Sequence, residues 1–390
     1  MSEPLTSEDS KKLLELCRAG KLYEVERWIE SGKSIRTSPG IRRTPLDVAI
    51  DLGFHSLIEL LIRNESDQET KNKTLSDAVA KKRLDLVELL VANGAQITSL
   101  PLAEVLLTWE PAIIGFFLGH GADVVTGSPF AVALGEKVRT ALRPYVDYKK
   151  AHPELAKELQ EQADRALRHF ANEGNLKWIS LMMWAGADPR SRGPTLDDRY
   201  SDDPECHTTA LQEACYKGNL DVLRKLRPDP SRDDLSELLR CASLFGSREI
   251  VRYLLQMGAD PNDKSNGGSS SLDGRLHHLA FEDFRASMNK QLISKYAVRE
   301  AMECLQELVE HGALWKPENG RELNSIRQTL FKCEPVVTVE VVKLLARYKA
   351  CPEETLEELL NAPRMRQHLS SLGMKFHPGR EARSKVPTRR

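Results

Sequence analysis

Apolar residues recur along this chain in a stripe with the helical period. After Gly53 they fall at Leu57, Leu60 and Leu61, and after Gly246 at Ile250, Tyr253 and Leu254, the same three offsets each time. That spacing lines one face of an amphipathic helix. The stripes close on a Gly-Ala pair, at Gly94-Ala95, Gly121-Ala122, Gly186-Ala187, Gly258-Ala259 and Gly312-Ala313. Ahead of each stripe lies a shorter segment with a small pair, two variable residues and a glycine. The clearest are Ala214-Cys215-Tyr216-Lys217-Gly218 and Ala242-Ser243-Leu244-Phe245-Gly246, with relatives ending at Gly20, Gly53 and Gly174. Glycine reaches the left-handed backbone that stops a helix. Each unit therefore predicts a first helix, a turn, a second helix and a stop. Thr44 and Thr209 stand where they can cap first helices. Neither helix can bury its stripe alone, so the units must stack.

These residues resemble the ankyrin repeat. Thr44-Pro45-Leu46 running to Gly53 matches the family's first helix, and Ile250-Val251, Leu254-Leu255 and Gly258-Ala259-Asp260-Pro261-Asn262 match its second helix and finger. With the inter-helix glycine as register, units fall at Gly20, Gly53, Lys82, Trp109, Lys137, Gly174, Gly218, Gly246, Glu300 and Val337. Their spacings scatter around the family period of about 33 residues. The expected fold is all-α, an ankyrin-repeat solenoid of about ten stacked helix-turn-helix units with finger loops.

Departures from the repeat divide the chain. Ankyrin-type units are expected over 1–126, irregular units with a long helix and an acidic finger loop over 127–207, and further units with a long insertion over 208–351. Capping helices follow over 352–374 and a basic disordered tail over 375–390. The unit at Lys137 reads as having a degraded second helix. Pro153 to Phe170 reads as one long first helix, with Leu155, Leu159, Ala163, Ala166 and Phe170 on its stripe. The Ser- and Gly-rich stretch from Lys264 to Gly274 reads as a flexible inserted loop leading into helix through Tyr296. The pair Pro352 to Leu360 and Arg364 to Leu372 would close the stack, since a terminal repeat otherwise exposes its apolar face.

Composition narrows the function. The 56 Lys and Arg against 57 Asp and Glu give a net charge of −1 over 390 residues, which argues against coating nucleic acid or an anionic membrane. Seven cysteines with no C-x-x-C pair point to a reducing compartment, and the acidic, polar start is no secretory signal. The longest apolar stretch, near Ala112 to Leu118, is far short of the roughly 20 residues a membrane helix needs. A cytoplasmic protein is expected.

Catalytic motifs are missing: no phosphate loop G-x-x-x-x-G-K-[ST], no H-E-x-x-H and no G-x-S-x-G. His277 and His278 are adjacent, so on a helix they diverge by about 100° and do not chelate together. They read as polar residues near a helix start. Cys206 and His207, beside Asp202, Asp203 and Glu205, lack the spacing of a calcium loop and read as solvated loop. Cys17 and Cys215 share one small-residue slot and read as packing between first helices. No cofactor, no metal and no enzymatic activity are expected. An enzyme with a site in the irregular stretch from Lys137 to His207 is the less favoured reading.

Trp28 and Trp178 fall at core offsets, whereas Trp184 falls at an outward one and Trp109 occupies a glycine slot at a turn. The resemblance implies that the two variable residues before each inter-helix glycine face a concave groove. Most such pairs are polar; Tyr216-Lys217 followed by Leu244-Phe245 would form an apolar patch, and such patches mark interaction sites. Asp202 and Asp203 belong to a finger whose five acidic residues from Asp197 to Glu205 face one arginine, a net charge of −4. It would rim the patch and favour a basic partner surface. Expected partner-binding residues are therefore Tyr216, Lys217, Leu244, Phe245, Asp202 and Asp203, with Trp109 and Trp184 as exposed candidates. The resemblance implies protein–protein recognition as adaptor, scaffold, inhibitor or regulatory subunit. The tail from Lys375 carries a net charge of +5 and offers nucleic acid as an alternative partner. It has no aromatic residue after Phe376 to stack on bases.

Overall fold

The computed structural model describes residues 5–38, 40–196, 207–245, 247–264, 270–279, 292–316, 323–324, 327–328, 330–331 and 333–373. The chain divides into two units, Met1–Ala166 and Leu167–Arg390. The described residues form helices and no strand; the one β-type pairing is an isolated bridge between Gly193 and Thr208. None of the described helices is long and apolar enough to cross a membrane.

In the first unit, first helices stack on first helices and second on second. Ser7–Arg18 packs on Pro45–Leu52, which packs on Gln68–Ala80; Leu22–Glu30 packs on His55–Asn64. Further on, Leu102–Leu106 packs on Pro129–Gly135, and Leu84–Ala92 on Pro111–Gly119, which packs in turn on Arg139–Ala151. The stripe read from sequence is buried in part: Leu57 and Leu61 are inaccessible and Leu60 is half-buried, while Ile58 and Ile62 complete the buried face. Each such burial is worth about 1.5–3 kcal/mol. Thr44 closes a capping box with Asp47, accepting from the Asp47 amide at 3.0 Å while the Asp47 carboxylate accepts from the Thr44 amide at 2.9 Å. Two orphan donors of the helix start are thereby satisfied.

The second helix of the unit at Lys137 is intact, a correction to the sequence reading. Arg139–Ala151 has 13 residues and buries Ala141, Leu142 and Tyr145, with Pro144 inside it. The next first helix, Ala156–Glu173, follows a single 3-10 turn at Pro153–Leu155. Gln162, buried on that helix, accepts from the amides of Phe130 (2.9 Å) and Ala131 (3.4 Å) and donates to the Val124 carbonyl (2.7 Å). One side chain thus caps the helix Pro129–Gly135, whose own N-cap Ser128 makes no side-chain capping bond.

In the second unit, Leu176–Trp184 packs on Leu220–Leu226 and Ala210–Tyr216 on Leu235–Phe245; Arg248–Gln256 packs on Leu292–Glu310. Pro335–Arg347 carries the closing pair, Glu353–Asn361 and Pro363–Ser371. The exposed residues of the former include Glu353, Glu354, Glu357 and Glu358, a charged outer surface suited to ending a stack.

Three readings change in this unit. The segment 271–279 is helical, and Ser270 caps it by a box with Asp273 (Ser270 amide to Asp273 carboxylate 3.0 Å, Asp273 amide to Ser270 hydroxyl 3.2 Å). Ser270 to Gly274 therefore begins a first helix and is no flexible insertion. Ser270 lies twelve residues after Gly258, as Thr44 lies twelve after Gly32, so the finger between them has ordinary length. No turn falls at Glu300, because Leu292–Glu310 runs through it as one helix. Val337 likewise lies inside Pro335–Arg347, whose turn comes before Pro335.

Candidate functional site

The inter-helix turns fix the register of every groove residue. Gly20, Gly53, Gly174 and Gly218 take positive φ, and so do Lys82, Trp109 and Lys137 in the corresponding slots. Close stacking adds to the need for glycine at two of these slots: a Cβ at Gly174 would meet Nδ2 of Asn219 at 2.7 Å, and one at Gly20 would meet the Phe54 ring at 3.1 Å. Asn219 is meanwhile held in place, because its side chain caps Leu220–Leu226 through the Val222 amide at 3.1 Å.

In the second unit three successive first helices bring together pairs of residues at equivalent positions. They are Tyr216-Lys217, Leu244-Phe245 and His277-His278. The rings form a row: Phe245 meets Tyr216 edge-on at 5.4 Å between centroids, and His278 at 5.4 Å on its other side. Phe245 is 53% exposed, Lys217 is exposed, and Tyr216, His277 and His278 are half-buried. Leu244 is half-buried, and its Cδ2 packs so closely on Gly274 that a Cβ there would come within 3.2 Å. It supports the row from below and is not displayed as the sequence reading expected.

Polar contacts hold this floor. Burial, reinforced by the neighbouring Cys241 thiol, pushes the Tyr216 phenol well above its ordinary range, while burial pushes Cys241 up to about 11. Both therefore stay protonated at neutral pH. Arg275 is fully buried and donates to the Ser243 (3.0 Å) and Leu244 (2.9 Å) carbonyls, taking up two orphan acceptors at the end of Leu235–Phe245. Its other nitrogen approaches His278 Nδ1 at 3.5 Å.

The finger side is built as firmly. Gly193 and Thr208 exchange two backbone bonds of 3.0 Å each. Arg168, 1% exposed, donates to the carbonyls of Pro194 (2.9 Å) and Ser191 (3.1 Å). Glu213 accepts from Thr208 Oγ1 (2.6 Å) and Asn172 Nδ2 (2.5 Å). Arg190 grips Asp233 with two bonds of 2.7 and 2.8 Å, a bidentate charge-assisted pair. Beside it an open cleft of about 180 Å³ is lined by Thr209, Gln212, Asp234 and Glu237. Asp202 and Asp203, with the rest of the acidic finger from 197 to 206, lie outside the described residues. So do Lys375 and the basic tail.

Trp184 is 65% exposed at the end of Leu176–Trp184, a helix that buries Trp178, Ile179 and Met182. It stands away from the ring row. Trp109 is 45% exposed at a left-handed turn of the first unit. Cys17 and Cys215 are buried, and burial raises both thiols. Among the described residues no group of three or more His, Cys, Asp or Glu side chains could hold a metal ion.

His278 belongs to the row although the sequence reading set it near a helix start. It is the eighth residue of the helix 271–279, in the slot that Lys217 and Phe245 occupy. The signal was the capping pattern of Ser270 and Asp273, masked because serine replaces the threonine of the other units.

Residues 149–265 match a family model described as ankyrin repeats in three copies. The "Ankyrin repeat and KH domain-containing protein mask-1" of Caenorhabditis elegans is 26% identical over 254 residues, covering 60% of this chain. The chain spans 9% of that relative's length.

Proposed function

We propose that the chain is an ankyrin-repeat protein and a non-catalytic recognition module that binds a partner protein through the first-helix face of its second unit. Adaptor, scaffold, inhibitor and regulatory subunit are all roles of this kind. The observation that carries the reading is the Tyr216–Phe245–His278 row. Large aromatic side chains are normally buried for their apolar area, yet Phe245 stands 53% exposed on a floor that Arg275, Leu244 and Cys241 hold rigid. A rigid, half-exposed aromatic is the residue type that dominates binding energy at interfaces. The acidic finger, Asp202 and Asp203 included, favours a basic patch on the partner along that edge. A cytoplasmic setting fits the cysteine usage.

The test is capture of partners from lysate of the native cells by the full chain, the Phe245→Ala chain and the Trp184→Ala chain, followed by mass spectrometry. A specific partner should be lost or weakened by about 1–3 kcal/mol in Phe245→Ala and retained by Trp184→Ala. Retention by Phe245→Ala with loss in Trp184→Ala would move the site to the second-helix face.

A further inference from the structure

We draw no further inference here: the strongest candidate, the ring row of Tyr216, Phe245 and His278 on the first-helix face of the second unit, belongs to the site already described, and nothing in the structure shows what covers it.

Discussion

Lys82, Trp109 and Lys137 hold left-handed backbone at φ of 58°, 67° and 62°, a conformation that Gly53 and Gly218 adopt at 75° and 70°. For a residue with a Cβ this costs about 1–2 kcal/mol. Lys82→Gly and Lys137→Gly should each therefore shift the urea midpoint upward, by the equivalent of roughly 1 kcal/mol. The reverse change separates two causes. Gly53→Ala meets open space and should lose only the backbone term, whereas Gly174→Ala also drives a Cβ to 2.7 Å from Asn219 and should lose clearly more. Equal losses would show that Asn219 moves aside freely. These slots were legible without a glycine at each because the apolar stripe that follows sets the register. The same logic missed His278: its unit was counted from Glu300, and the capping serine at 270 was taken for linker composition.

At the scale of helices, buried polar groups show what periodicity cannot. The long helix Ala156–Glu173 was readable from its stripe, but the role of Gln162 was not, since a glutamine beside that stripe is compatible with a solvent-facing position. Gln162→Ala would orphan the Phe130 and Ala131 amides and the Val124 carbonyl. A buried polar group left unpaired costs about 1–3 kcal/mol, so this substitution should lower the melting temperature more than any exposed Gln→Ala change. Glu307 is the second case. It is buried on Leu292–Glu310, where Arg248 Nε donates to it at 3.0 Å and Arg252 Nε at 3.2 Å. Burial opposes its charge, but the hydrogen bonds and charges of Arg252 and Arg248 outweigh burial and hold the carboxyl below its ordinary 4.5. A depressed carboxyl contributes stability above its unfolded value and loses it as pH falls through the folded one. Stability from this contact should thus be level from pH 7 to about 5 and decline below 4.5, and Glu307→Gln should flatten that part of the acid profile. The continuity of this helix through Glu300 was hidden because the notional turn carries no glycine or proline to disprove helix or to require it.

On the scale of the chain, its two units repeat one architecture, and the apolar rows that build it were the most legible feature of the sequence. What stays outside the described residues, the acidic finger and the basic tail, was read only by charge. The tail lacks core-forming residues, so ending the chain after Met374 should leave the melting temperature nearly unchanged; a large drop would show that it packs on the repeats. Recognition by the second unit is the claim on which the rest depends, and hydrogen exchange of the full chain with and without its captured partner tests it most directly. Slowed exchange is expected in Ala210–Tyr216, Leu235–Phe245 and residues 271–279, with Leu176–Trp184 and Arg248–Gln256 unchanged. Protection confined to those last two helices, with the ring row exchanging as in the free chain, would contradict it.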